Sequence, residues 1–537
     1  MATKYTSKLQ SLKSAEQYID GFSGASPEIQ YIFIGNSIAY SDENSPPDIV
    51  ESVSENTNVH DSIIAGKRVL ASDVNLVIPR VDWTSSTKYR QFDDRVAIDD
   101  SITGVDSQNL KPMYVMTSDN NVYKCLSNNS NSAGQSPDST VEPTGDYTTS
   151  NGVIATADGY IWKYMYKVRS GNKFLNSSYV PVPTRNVNAT ETDTNFNLDS
   201  TGVVEGELTT IVVTDGGTGY RNFSNVTVDA FVEGQTTIGL SNTIISSTNL
   251  TASDIAAANM SVSGTGIAAN ALISSVDSTN ATITLTQAAT ADGGNTGNNL
   301  TITTRVYVDG DGTDAAANVT LADGAVTKVT VDTIGTGYEK ANALIFGTGS
   351  GVVTRSVLAP KFGHAYHIGK DLAANSVMVA TKIGDIDSTE NGVVPLGIDF
   401  RQIGLLRNPY KYGESSAANN STANTVISQV HRITVSAGLG YQEDEFVYQG
   451  ASNTVFSTSA RVHRVVSSSI LELTDVVGTL LIATDLVGDT SGASRTITSI
   501  TTPEFEPRSA DILYVENITP VTRVDGQAED IRLVLQF

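Results

Sequence analysis

Two histidines, His364 and His367, stand three residues apart beside Gly363, a spacing that could offer two imidazoles to a metal ion. No third ligand stands nearby, and His60, His431 and His463 are scattered, so structural hydrogen bonding is the default for the pair. Asp309-Gly-Asp-Gly-Thr-Asp314 has the acidic order of a calcium loop. The twelfth position, where such a loop needs a bidentate acid, holds Thr320, which makes a β-turn the better reading. Clusters at Asp93-Asp94, Asp99-Asp100 and Glu443-Asp444-Glu445 could supply the paired carboxylates of glycoside hydrolysis. With 58 Asp and Glu in the chain such clusters arise by chance, and solvated loops account for them. The sequence has no Gly-Xaa-Ser-Xaa-Gly elbow, phosphate-binding loop or dinucleotide fingerprint. The expectation is a protein that is not an enzyme and holds no metal or cofactor.

The elements that would position these residues read as mainly β. Hydrophobic residues make up 39% of the chain, and Thr, Ser, Asn, Asp and 44 Gly take much of the rest, with β-branched residues between them. That is the composition of short strands joined by tight turns. At 537 residues the chain exceeds one core and is expected to hold three or four domains. Lys and Arg total 34, giving a net charge of -24 without a basic stripe, so neither nucleic acid nor an anionic membrane is an expected partner. Cys125 is alone, which excludes an intrachain disulfide and fits folding in a reducing cytoplasm. Met1 to Asp20 lacks the apolar core of a signal peptide, and no apolar run approaches a membrane span.

Helical signal concentrates at the start. Ser7-Lys-Leu-Gln10 can form a capping box, Tyr5, Leu9, Leu12 and Ile19 share a face, and Gly21 and Gly24 end the helix. Tyr31-Ile-Phe-Ile34 reads as a buried strand, and a second helix is expected from about Asp48 to Leu70. Met113–Met116 and Val122–Leu126 flank the turn formers Asp119-Asn-Asn121 as a hairpin. In Ile161 to Val168, Trp162, Tyr164, Tyr166 and Val168 alternate with Lys163, Met165 and Lys167, which puts the aromatics on one face of a strand. Ile531, Leu533, Leu535 and Phe537 alternate in the same way at the C-terminus, a half-buried final strand.

From about Gly206 aromatics thin out and an internal repeat emerges. Thr210-Ile-Val-Val-Thr-Asp-Gly-Gly-Thr-Gly-Tyr220 matches Lys328-Val-Thr-Val-Asp-Thr-Ile-Gly-Thr-Gly-Tyr338, each an alternating strand ending in Gly-Thr-Gly-Tyr. Two copies more than a hundred residues apart suggest one β-domain with another nested inside it. Asn259–Ile267 and Asn280–Leu285 look like parts of an immunoglobulin-like module, and Gly440–Gly450 with Asp485–Ala493 look like elements of a small β-barrel.

Val77-Ile-Pro-Arg-Val-Asp-Trp83, Asp158-Gly-Tyr-Ile-Trp-Lys-Tyr-Met-Tyr166, Asp399-Phe-Arg-Gln-Ile-Gly-Leu-Leu-Arg-Asn-Pro409 and the C-terminal Arg508–Asn517 and Gln527–Phe537 stand out by their combined character. Arg80 and Asp82 could pair or satisfy backbone groups around the large Trp83, and Arg401 and Arg407 flank an apolar strand, as buried anchors or as subunit contacts. In that order the segments resemble the dimeric baseplate wedge subunit of T4-like contractile-tailed bacteriophages.

The resemblance implies a β-sandwich body with short helices near its N-terminus, spread over 1–205, 355–432 and 503–537. Residues 206–354 then form an inserted β-domain with an immunoglobulin-like module nested at about 240–305, and 433–502 an inserted small β-barrel-like module. The family's short form lacks both inserted regions. The implied role is structural. Such subunits pair as a homodimer, contact other wedge proteins and take part in assembly and rearrangement of the baseplate before sheath contraction, in a virion built in the host cytoplasm. Candidate structural or interface residues are Arg80, Asp82, Trp83, Trp162, Tyr164, Arg401, Gln402, Arg407, Glu516, Asn517 and Phe537. The rival readings are a receptor-binding tail fibre or adhesin, suggested by the Thr/Asn/Gly-rich β-modules, and behind it a tail-associated glycan hydrolase.

Overall fold

The computed structural model describes residues 8–22, 28–96, 110–148, 150–183, 196–197, 202–227, 231–239, 259–277, 279–280, 282–292, 299–383, 398–415, 426–436, 438, 440–524 and 527–537. It is mainly β, with many small sheets, one closed barrel and a few short helices. Contacts divide the chain into two compact units, Met1–Val77 with Asn375–Phe537, and Ile78–Ala374. The division after Val77 falls inside the stretch 1–205, which the sequence reading had kept as one piece.

In the first unit the helix Lys8–Asp20 buries Leu12 and Ala15 and stops at Gly21. Ser7 of the expected capping box, Tyr5 and Gly24 lie outside the described residues. The strand Gln30–Gly35, all six residues buried, is the centre of a five-stranded sheet in the order Val426–Ser428, Ile63–Arg68, Gln30–Gly35, Ile398–Arg407, Asp511–Arg523. Elsewhere in this unit Ser376–Ile383 runs between the C-terminal strand Glu529–Gln536 and residues 74–77 of the strand Val74–Pro79.

The helix expected over 48–70 is much shorter. Only Val53–Asp61 is helical, started by the Ser52 hydroxyl accepting from the Glu55 N–H at 3.1 Å. Beyond it Ile63 and Ile64 are β-branched and Gly66 lies close under the Ile32 carbonyl, so this stretch completes the sheet instead. Burial between two strands outweighs helical pattern here.

The barrel closes in the order His431–Val435, Ile470–Val477, Val455–Ser467, Phe446–Ser452, Asp485–Gly488, Ser494–Thr501. Its interior is apolar, filled by Ile433, Val447, Val462, Leu471, Leu473, Leu486 and Ile497. Closure leaves no free sheet edge.

The second unit opens with an aromatic sheet. Tyr114–Met116 and Asn121–Ser127 form the expected hairpin, with Val115 opposite Tyr123 and Asn120 at a positive φ of 61° in the turn. Asn121–Ser127 then pairs with Ile161–Val168. Trp162 and Tyr164 of Ile161–Val168 share a core, where Trp162 stacks on Tyr160 at 5.7 Å and meets Tyr89 edge-on. The opposite face, however, is not solvated: Lys163 and Met165 are buried too. The alternation identified the strand but not its two covered faces.

The repeat is a pseudo-symmetric pair. Leu208–Thr218 and Ala325–Thr336 lie antiparallel with Ile211 opposite Val329, and each is flanked on its outer side, by Ser350–Leu358 and Thr313–Ala322 respectively. The two copies lock reciprocally: the Tyr220 N–H donates to Gly324 O at 2.9 Å and the Tyr338 N–H to Gly206 O at 3.1 Å. Each tyrosine ring is buried against glycines of a turn. A Cβ on Gly349 would sit 2.4 Å from the Tyr220 ring, and one on Gly312 would sit 2.4 Å from that of Tyr338. The glycines are therefore needed for close approach as well as for turning. Between the copies, two three-stranded sheets share a core that includes Phe223, Phe231, Ile238, Met260, Ile283 and Ile302. That core begins before residue 240, with the strands Phe223–Thr227 and Thr237–Gly239.

Candidate functional site: a buried charge cluster

The aromatic sheet sets two lysines directly opposite each other, Lys124 on Asn121–Ser127 and Lys163 on Ile161–Val168, both buried. Like charges in that position repel and must be balanced. The balance comes from the incoming and outgoing ends of the repeat domain. Glu207 and Thr209 lie at the start of the strand that leads in, and His364 and Asp371 follow the strand that leads out. Gly363, at a φ of 95°, brings the chain against Val204 and so delivers His364 to the cluster. His367 caps the short helix Ile368–Asp371 by accepting from the Lys370 N–H at 3.3 Å, and Asp371 ends that helix.

The geometry is close and nearly sealed from solvent. Lys124 Nζ lies 3.1 Å from His364 Nδ1 and 3.3 Å from Asp371 Oδ1, and it sits over the Phe92 ring at 3.9 Å. The other Asp371 oxygen accepts the Ala365 N–H at 2.7 Å. His364 Nε2 is 2.9 Å from the Thr209 hydroxyl and 3.8 Å from Glu207 Oε1. Lys163 Nζ donates to the carbonyls of Asn151 and Gly202 at 3.0 and 2.6 Å, and stands 3.6 Å from Glu207 Oε2. Among the described residues neither Glu207 oxygen accepts a hydrogen bond within 3.5 Å. An ammonium only donates, so Nδ1 of His364 is its acceptor and Nε2–H faces Thr209.

Burial dominates the titration of Lys124, Glu207 and His364. Desolvation lowers the pKa of Lys124, against the pull of Asp371. It raises that of Glu207, against Lys163. It drives His364 well below 6.5, helped by the two lysine charges, so the imidazole is neutral. The site can move protons internally and holds an amine against a carboxyl group. A nearby cavity lined by Gln91, Asn131, Thr210 and Lys328 measures about 20 Å³, room for a water molecule.

The residues expected from sequence lie elsewhere. Arg80 pairs with Asp82 at 2.8 Å and donates to Asn176 O, as anticipated, at a partly exposed position. Trp83 is partly buried against the aromatic core that contains Trp162, and its indole N–H donates to Ser139. Tyr164 meets Tyr123 edge-on at 5.8 Å. Arg401 is buried and holds Glu43 through Nε at 3.0 Å and Nη2 at 2.9 Å, with Ser37 O as a further acceptor. Gln402 donates to Asn517, which donates in turn to Pro47 O, both at 2.9 Å. Arg407 pairs with Asp511 at 3.0 Å, and Glu516 accepts the Tyr514 hydroxyl. Phe537, exposed, touches Tyr18 while its N–H donates to Asn375 O. Arg401 thus bonds to Ser37 and Glu43 and Gln402 to the neighbouring strand, both within the first unit.

His364 and His367 do not converge on a common point; one belongs to the cluster and the other caps a helix. Asp311 of the acidic turn accepts the N–H groups of Glu339 and Lys340 at 2.9 Å, which is turn chemistry. Asp99 and Asp100 lie outside the described residues, and among the described residues no group of three or more metal-ligating side chains forms a metal site. No described helix is long and apolar enough to cross a membrane. Sequence reasoning missed Lys124, Lys163, Glu207 and Asp371. The available signal was a lysine inside the apolar run Val122-Tyr-Lys-Cys-Leu126, and a second inside Ile161–Val168. Neither a protein-family model nor a curated protein matches the chain.

Proposed function

We propose that this chain is a structural subunit of a phage tail baseplate wedge, acting as a homodimer that links wedge proteins and changes its contacts before sheath contraction. One observation carries the reading. Two of the segments that bear the resemblance lie far apart in sequence and are hydrogen-bonded neighbours in the first unit. Ile398–Arg407 pairs with Asp511–Arg523, with Gln402 opposite Asn517 and Arg407 opposite Asp511. The final strand pairs with Ser376–Ile383, which also pairs with Val74–Val77. A body assembled from these segments leaves the inserted β-regions free to vary, since each departs and returns through adjacent strands. The chain's ionisable groups serve structure in this reading, and its work is assembly.

The test is to isolate tails from particles, strip them to baseplates and measure the chain by quantitative mass spectrometry. The proposal predicts that it stays with the baseplate at two copies per wedge. Its release with detachable fibres, at three copies per fibre, would overturn the proposal in favour of a receptor-binding protein.

A further inference from the structure

We propose that Lys124 and Asp371 condense into an intramolecular isopeptide bond, a covalent clasp at the base of the inserted repeat domain. The two side chains approach to 3.3 Å, fully buried, across 247 residues of chain. Lys163 is a poorer nucleophile because two carbonyls already hold its Nζ.

Every group that the condensation needs is in place. The step starts when a proton on Nζ is handed across the 3.3 Å contact to Asp371 Oδ1, which leaves an amine beside a carboxylic acid. Nζ then attacks Cγ. Negative charge develops on Oδ2, which the Ala365 N–H already contacts at 2.7 Å, the placement that stabilises such an oxyanion. The neutral His364 Nδ1, 3.1 Å from Nζ, takes the proton released by the attacking nitrogen and returns it to the departing Oδ1 hydroxyl. One C–O bond breaks, one C–N bond forms and one water leaves; no oxidant, reductant or activating group is required. Thr209 holds the far side of the imidazole at 2.9 Å, and Phe92 covers Nζ at 3.9 Å, keeping solvent away. Glu207 stands 3.6 Å from Lys163 and keeps the second lysine charge compensated when the first is consumed.

The bond would hold together the two ends of the region that contains the repeat domain and its nested module. A covalent closure of so long a loop restricts the unfolded chain, as a long-loop disulfide does. It would also resist reduction.

The intact mass of the purified full-length chain decides the matter. The expected value is one water below the mass of the sequence, with a branched tryptic peptide joining Lys124 to Asp371. Full mass after prolonged incubation, or a water loss mapped to other residues, would overturn the proposal. Lys124→Arg keeps the charge but cannot form the amide. It should show the full mass and migrate more slowly than wild type on a denaturing gel, and equal migration would count against the clasp. His364→Gln should form the bond roughly a hundredfold more slowly, and an unchanged rate would remove His364 from the mechanism.

Discussion

The repeat domain and the barrel are fastened at their bases in different ways. Both depart and return on antiparallel neighbours: Leu208 lies opposite Leu358 at the base of the repeat domain, and Arg432 opposite Thr501 at the base of the barrel. At the barrel the contact that joins the flanking segments is neutral, although Arg432 pairs with the buried Glu472 at 3.5 Å within the barrel. The Gln429 side chain donates to Phe505 O at 2.8 Å and accepts the Phe505 N–H at 3.1 Å. At the repeat domain it is ionic, built from Lys124, Lys163, Glu207 and Asp371 around His364. The barrel satisfies all its edges by closing and has an apolar interior, so a pair of neutral hydrogen bonds suffices. The repeat domain is an open sheet with edges at Thr313–Ala322 and Ser350–Leu358, and its base carries an arrangement that is costly to break. Both regions thus have adjacent ends, and the more open of the two carries the more charged base.

Removing one member of the ionic base should have the largest effect. Asp371→Ala strands a buried lysine and the Ala365 N–H, and should cost about 3–5 kcal/mol in urea unfolding of the full chain. A cost no greater than that of cutting the neutral base would erase the contrast. The barrel has its own weakness, in acid. Burial lowers the pKa of His463 from 6.5 to about 4, and among the described residues neither ring nitrogen finds a partner. The unfolded chain therefore binds this proton first: stability is fully present above 6.5 and is lost as pH falls towards 4, by roughly 3 kcal/mol. His463→Leu should flatten that part of the pH profile, and an unchanged slope would place the acid sensitivity elsewhere.

The two copies of the repeat give an internal comparison. Gly312→Ala and Gly349→Ala each drive a Cβ into a tyrosine ring and should cost about 1–3 kcal/mol, by similar amounts at the two sites. A large inequality would mean that the copies are not mechanically equivalent. Gln429→Ala should have the smallest effect, about 1–2 kcal/mol, since two neutral hydrogen bonds are lost at a partly buried site.

Local pattern made much of the fold legible. The hairpin about Asn120, the Gly-Thr-Gly-Tyr pair and the alternation in Glu529–Gln536 all use short-range signals that survive folding. The stretch from Ile63 to Arg68 was misread as helix because its preference was overridden by burial between two strands distant in sequence. Arg80 with Asp82 was legible because the pair is local. The charge cluster was not. Its members come from strands and turns up to 247 residues apart, and a buried lysine has the same one-letter signature as a surface one. A lysine within an apolar strand was the faint trace, interpretable only once both faces of that strand were known to be covered.

The central claim, a dimeric wedge subunit, is tested most directly by the absolute mass of the purified chain, from light scattering coupled to size exclusion. The account predicts a stable species at twice 56.8 kDa. A trimer, the assembly expected of a receptor-binding fibre, would contradict it.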